Sequence, residues 1–358
     1  IYTDIDEDYA LATAVKMDEF YRRFTSIFIG GFKVNARPEL YVMKTKNSYA
    51  SAVMSWSGGR MSVPGWSAGL FARFGGSYAL FGCAEYGEDQ LHETLFHEGT
   101  HQLLQFYIGA EFPRWFNEGV ATNFQDWDVS LSAERNVYEE IWKSEFARYV
   151  YEMAKGEKGR GKPDLIKLMN STDNDWLYTG DPRPLYAQAW AFVNFVLSAG
   201  KIGERYFNML ITQFRAGKDP AKVLPLNERV ALAAQWDNYI TGVIVPHFEF
   251  STSIEELVKA GKTDDAAKLL ESALASYPKN NALLYYKGLL ALGAGDAQTA
   301  LDVLKPLDGA FPRHPRLYRA LGMAANSASD RTNARKWLAK ALAEDYRDDE
   351  VRKLLDGK

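Results

Sequence analysis

Residues 89–107 read Asp-Gln-Leu-His-Glu-Thr-Leu-Phe-His-Glu-Gly-Thr-His-Gln-Leu-Leu-Gln-Phe-Tyr, with His97, Glu98 and His101 at their centre. The run holds no proline and one glycine, Gly99, while Leu91, Leu95, Leu103 and Leu104 are available for packing. The pattern predicts a helix. On it, His97 and His101 stand one turn apart on the same face, close enough for both imidazoles to reach one metal ion. Glu98 lies about 100° round from His97, so its carboxylate can face the same ion from behind the ligands. Two histidines and a carboxylate leave one coordination position open, which is the ligand set of a catalytic rather than a structural zinc. The competing reading is a surface helix with two solvated histidines, but five histidines in 358 residues make this spacing a rare accident. Gly99 costs about 1 kcal/mol of helix propensity, which suits a site where substrate or a neighbouring backbone comes close.

The third ligand is sought downstream. Positions 104 and 107 hold Leu and Tyr, so the further glycine and histidine of a metzincin are absent. Glu111 is too near the end of the first helix to swing back. Glu118 lies in Pro113-Arg-Trp-Phe-Asn-Glu-Gly-Val-Ala121, after a turn marked by Gly109 and Pro113. It opens a second amphipathic helix, Trp115 to about Gln125, able to pack antiparallel to the first. An exposed helix glutamate is the plainer reading of Glu118, and Asp126 and Asp128 are the fallback ligands.

His-Glu-Gly-Thr-His followed by Trp-Phe-Asn-Glu-Gly-Val-Ala resembles the gluzincins, the thermolysin-like metallopeptidases. It most resembles their bacterial peptidase-MA-like families, and Trp115–Ala121 is similar to the zinc aminopeptidases. The resemblance runs over roughly residues 60 to 200. It implies an α+β zincin-like catalytic domain with a small mixed sheet, an active-site helix and a helical lobe. By the same resemblance one catalytic Zn2+ is held by His97, His101 and Glu118, and Glu98 is the general base for attack of a metal-activated water on a peptide bond. The stretch Leu185–Val196 is similar to a later helix of those families whose tyrosine often hydrogen-bonds the oxyanion, which points to Tyr186; a helix-packing aromatic is the alternative. One departure stands out. An aspartate that orients a zinc histidine in thermolysin, four residues past the glutamate ligand, is Thr122 here, so the partner of that histidine is unassigned.

A peptide substrate also needs a surface. Residues 68–83 read as two short strands around Gly75-Gly76, a hairpin turn. In the resembling families an edge strand just upstream of the zinc helix binds substrate by strand addition, which assigns Ser77, Tyr78, Ala79 and Leu80 to substrate binding; a core strand is the alternative.

A net charge of −4 and the lack of any basic run argue against a nucleic-acid partner. The longest apolar run, 187–199, is interrupted and too short to span a bilayer. Cys83 is the one cysteine and reads as a buried strand residue, so no internal disulfide marks the compartment. The start at Ile1 rather than Met, with the bacterial resemblance, leans toward an extracytoplasmic, periplasmic or secreted, location. His92, His247 and His314 are assigned no role in catalysis.

The chain changes character near residue 250. Gly261, Gly295 and Ser329 recur at a 34-residue period, as do Ala266, Ala300 and Ala334, and Leu270, Leu304 and Leu338. Pro278 pairs with Pro312 and Gly288 with Gly322 in the same register. Small residues where helices cross and a proline after the second helix resemble tetratricopeptide repeats throughout 250–358, implying an all-α solenoid with a face for a peptide or protein partner. A packing appendage for the enzyme lobe is the alternative. The expected domains are thus 1–130, with the zinc helix; 131–249, a helical lobe; and 250–358, the repeats. The leading expectation is a zinc endopeptidase. The others are a repeat-based protein-binding adaptor and a zinc hydrolase of non-peptide amides.

Overall fold

The computed structural model describes residues 1–27, 39–108, 112–125, 144–159, 161–178, 180–198, 200–218, 223–309, 315–344 and 348–356. The chain falls into two compact units, one of residues 1–129 and 166–229, the other of 130–165 and 230–358. The middle segment read from sequence as a single lobe, 131–249, is divided between them.

The first unit is built on a four-stranded sheet and the helices around it. Strands β1 (Tyr2–Thr3), β2 (Glu39–Met43), β3 (Gly69–Phe74) and β4 (Ser77–Cys83) lie in the order β1-β2-β4-β3. β1 and β2, and β2 and β4, run parallel, whereas β3 and β4 form the antiparallel hairpin expected around Gly75-Gly76. Both turn glycines have positive φ, 58° and 84°, the geometry that lets a two-residue turn follow the strand twist.

Here one expectation is corrected in part. β4 pairs with β3 from Ser77 to Gly82 and with β2 from Ala79 to Cys83, where Ala79 and Leu80 are buried, while Ser77 and Tyr78 extend past Glu39, the first residue of β2. Among the described residues the free edge beside β4 is β3. The alternative kept for this stretch, a core strand, describes Ala79 and Leu80. A continuous apolar run with neighbours on both flanks is what the interior of a mixed sheet requires.

Helix α1 (Glu7–Ile27) and α2 (Lys46–Trp56) precede the hairpin, and α3 (Glu88–Ile108) contains the His-Glu-x-x-His stretch. Leu91, Leu95, Leu103 and Leu104 are all buried, as their spacing predicted. Gly99 is explained by packing rather than by substrate. A Cβ there would stand 3.2 Å from Met17 Cε and 3.3 Å from rings of Phe20 and Tyr21, so α1 crosses α3 at this point. Phe20 stacks on Phe96 at 4.6 Å, and Tyr21 donates to Gln102 Oε1 at 2.8 Å. Helix α4 (Arg114–Phe124) follows, then α5 (Arg183–Ser198) and α6 (Gly200–Arg215). Gly119 is required where α4 meets α5, since a Cβ would fall 2.7 Å from Ala189 O. Asn123 locks the same crossing by donating to the carbonyl of Trp190 at 2.8 Å.

The second unit contains helix Glu145–Ala154 and, past α7 (Leu226–Tyr239), two π-helical turns at Ile240–Ile244 and His247–Ser251. Then come helix pairs α8 (Thr252–Lys259) and α9 (Thr263–Ser276), α10 (Asn281–Gly293) and α11 (Ala297–Leu304), and α12 (Pro315–Ser327) and α13 (Arg331–Glu344), with α14 (Asp349–Leu355) last. The repeat register is physical. Gly261, Gly295 and Ser329 share positive φ of 72°, 82° and 62° at the turn inside each pair. A Cβ on Gly288 would collide with Leu304, and one on Gly322 would stand 2.6 Å from Leu338, so the second and third pairs cross at their glycines. Ala266, Ala300 and Ala334 are buried in their second helices. Pro312, His314 and residues 133–143 of the expected helix 133–155 lie outside the described residues.

Candidate metal centre

His97 and His101 project from one face of α3 with ring centroids 4.8 Å apart and planes at 88°. Glu118 reaches them from α4. Its Oε2 lies 3.4 Å from His97 Nε2 and 3.7 Å from His101 Nε2. Ligands about 2.0 Å from a tetrahedral metal stand about 3.3 Å from one another, so these separations suit one divalent ion among the three groups. The donor set of two imidazoles and a carboxylate fits as well. Glu98 is also close: single ligand atoms of His97, Glu98 and His101 lie within 4.8 Å of one another. Two carboxylates therefore border the site. Glu118 is the better ligand on geometry, because both Nε2 atoms face it directly and Glu98 is tied elsewhere.

That tie is to the sheet. The amide of Cys83 donates to Ala68 O at 2.9 Å, which with the β3–β4 register makes 68/83, 70/81, 72/79 and 74/77 the hydrogen-bonded pairs. The N–H and C=O groups of Gly69, Phe71 and Arg73 thus point away from β4, along the free edge. Phe71 N–H donates to Glu98 Oε2 at 2.8 Å. The same crowding explains Gly69, where a Cβ would meet Thr94 and stand 3.3 Å from Glu98 Cγ.

The outer nitrogens of both imidazoles are also held. His97 Nδ1 lies 3.1 Å from Gln125 Oε1, and His101 Nδ1 lies 2.8 Å from Asn117 Oδ1. A carboxamide oxygen only accepts, so each ring keeps its hydrogen on Nδ1 and turns Nε2 toward Glu118. Asn117, Glu118 and Gln125 all belong to α4 or its C-cap. Thr122 takes no part in this, because its hydroxyl donates to the carbonyl of Glu118 at 2.7 Å within its own helix.

Electrostatics of the metal-free site follow from this packing. Burial by itself pushes the Glu118 carboxyl upward, yet His101, His97 and Arg114 together bring it down to about 2. Burial likewise works against the His97 imidazolium, but Glu118 and Glu98 outweigh it and raise that pKa. Arg114 Nε lies 3.6 Å from Glu118 Oε1, so the two oxygens of Glu118 are divided between a guanidinium and the imidazoles. Tyr186, on α5, is pushed up to about 12, first by burial and then by Glu118, with a hydrogen bond to Arg114 acting the other way. Its ring meets Trp176 edge-on at 5.1 Å, and Arg114 lies over Trp176 at 6.0 Å.

The structure therefore brings His97, Glu98, His101, Glu118 and Tyr186 into one neighbourhood. Of the four residues expected to bind substrate, Ala79 and Leu80 occupy the sheet interior and Ser77 and Tyr78 the end of β4 beside the turn. Asp126, Asp128 and Glu111 fall outside the described residues. His92 lies apart, with Lys16 Nζ donating to its Nδ1 at 3.0 Å. Cys83 is buried and unbridged. Sequence reasoning missed Arg114, Asn117, Trp176 and Gln125. Arg114 is one turn before Glu118 and Gln125 two turns after it, a helical spacing that was available to be read. Trp176 carried no such signal.

Residues 254–310 match the tetratricopeptide repeat family, and residues 92–220 match a family described as a protein of unknown function (DUF1570). No curated protein matches the chain, and no solved structure does. The second match spans the candidate metal centre but brings no activity with it. The first makes the C-terminal region a repeat segment of a kind suited to protein interaction. Among the described residues no helix is long and apolar enough to cross a membrane.

Proposed function

We propose that the first unit is a zinc-dependent peptidase of the gluzincin type and that the repeats help dock its protein substrate. One observation carries this reading: two imidazole Nε2 atoms from α3 and one carboxylate oxygen from α4 converge at 3.4 and 3.7 Å, with a second carboxylate alongside. His97, His101 and Glu118 would hold the ion. When bound there, zinc supplies Lewis-acid polarisation of a carbonyl and lowers the pKa of water. The chain's own groups do the rest. Glu98 accepts the proton of the attacking water and delivers it to the leaving amine. Tyr186, whose raised pKa keeps its phenol protonated at neutral pH, donates to the developing oxyanion. The outer edge of β3 offers the C=O of Phe71 and the N–H and C=O of Arg73 for an extended peptide, the Phe71 N–H being held by Glu98.

The family comparisons favour a second reading over this one. The tetratricopeptide repeat match supports a protein-binding adaptor, and neither match speaks for hydrolysis. The two readings part at Glu98. Glu98→Gln keeps the metal donors and removes the proton acceptor. On a proteome-derived peptide mixture the wild type should cleave peptides in a zinc-dependent manner, and the variant should retain zinc while losing activity by about 100-fold or more. A zinc-loaded wild type that cleaves nothing, or a variant equally active, refutes the peptidase reading and leaves the adaptor.

A further inference from the structure

We propose that Gln125 is a positioning residue of the metal centre, fixing the tautomer and rotation of His97 so that Nε2 is its ligating atom. The inference rests on the metal-site reading and extends it to a residue that the resemblance does not supply. In thermolysin the corresponding position, four residues past the glutamate ligand, carries an aspartate, and here it carries Thr122. The Thr122 hydroxyl is spent on carbonyls of α4, Glu118 O at 2.7 Å and Gly119 O at 3.2 Å, and is buried there. His97 nevertheless has an acceptor. Gln125 stands two turns beyond Glu118 on the same face of the helix, and its Oε1 lies 3.1 Å from His97 Nδ1. Its backbone is anchored by its N–H donating to Ala121 O at 3.0 Å, so the side chain starts from a fixed point.

The physical consequence is specific. An imidazole free to rotate or exchange tautomers presents Nε2 only part of the time, and every metal-binding event must first select the competent state. The Gln125 oxygen removes that selection for His97, as the Asn117 oxygen does for His101. Both anchors are neutral amides from the helix that also carries Glu118. Docking of α4 on α3 thereby sets one ligand and the orientation of the other two.

The experiment is zinc affinity by competition with a chromophoric chelator, on the full chain and its Gln125→Ala and Gln125→Glu variants, with metal-free thermal melting as the fold control. Gln125→Ala is expected to weaken zinc about 10- to 100-fold. Gln125→Glu should keep wild-type affinity or exceed it, because a carboxylate accepts the same N–H. Wild-type affinity in Gln125→Ala overturns the inference alone, as does a Gln125→Glu variant as weak as the alanine one. A wild type that binds no zinc overturns the metal-site reading and this inference with it. If Gln125→Ala melts early, the comparison of Gln125→Glu with wild type decides.

Discussion

Replacing Glu118 by glutamine keeps the shape of the side chain and removes its charge. In the metal-free protein this carboxylate is held at about 2 against an ordinary 4.5, despite its burial, because His101, His97 and Arg114 surround it. At roughly 1.4 kcal/mol per pKa unit, that depression stabilises the fold by about 3 kcal/mol relative to a neutral group of the same size. The contribution is present in full above pH 4.5 and is lost as pH falls through about 2, since the unfolded carboxylate takes up its proton first. At pH 6 the raised pKa of His97 keeps its imidazole protonated as partner. Metal-free Glu118→Gln should therefore unfold in urea with a free energy about 3 kcal/mol below wild type at pH 6, and the gap should narrow steadily below pH 4.5. Added zinc should raise the wild-type midpoint and raise that of the variant much less, by linkage. Equal stability at pH 6, or a deficit unchanged at pH 3, would refute the view that these cations hold the carboxylate in place.

Two further outcomes concern the second unit. His247 is buried, and burial pulls its pKa down to about 4, with Glu255 opposing and Arg148 reinforcing. As pH falls from about 6.5 to 4 the unfolded histidine binds a proton that the folded one refuses, so stability should drop by about 3 kcal/mol. His247→Gln should flatten that slope in urea titrations at pH 7 and pH 4.5, and an unaltered slope would count against it. Gly322→Ala places a methyl 2.6 Å from Leu338 Cδ2. Overpacking of about 1–3 kcal/mol should outweigh the roughly 1 kcal/mol gain in helix propensity and lower the melting temperature. A variant melting with or above wild type would mean that the helix pair opens without cost.

The local elements were legible because their signals are local. The leucine spacing of α3 and the Gly75-Gly76 turn could be read from neighbours in sequence, and so could the 34-residue recurrence of Gly261, Gly295 and Ser329. The repeat reading went furthest, since each pair contacts chiefly its neighbours and one register explains the crossings at Gly288 and Gly322. The placement of β4 could not be read in this way. An apolar run of its length fits an edge or a central strand, and only pairing with β2 on one flank and β3 on the other decides. The same is true of Gly99, whose reason is Met17, Phe20 and Tyr21 on a helix far away in sequence.

The candidate centre divides along the same line. His97, Glu98 and His101 were determined by the sequence itself, because 3.6 residues per turn puts positions four apart on one face whatever surrounds them. Which groups complete the site was decided by the tertiary structure. The seating of α4 on α3 brings the Glu118 oxygen to the imidazoles and aims Gln125 and Asn117 at their outer nitrogens, and the packing of α3 beside β3 sets Glu98 against the Phe71 amide. Those contacts link separate helices and a sheet edge, and a chain's sequence spaces residues along one element without saying at what angle two elements meet.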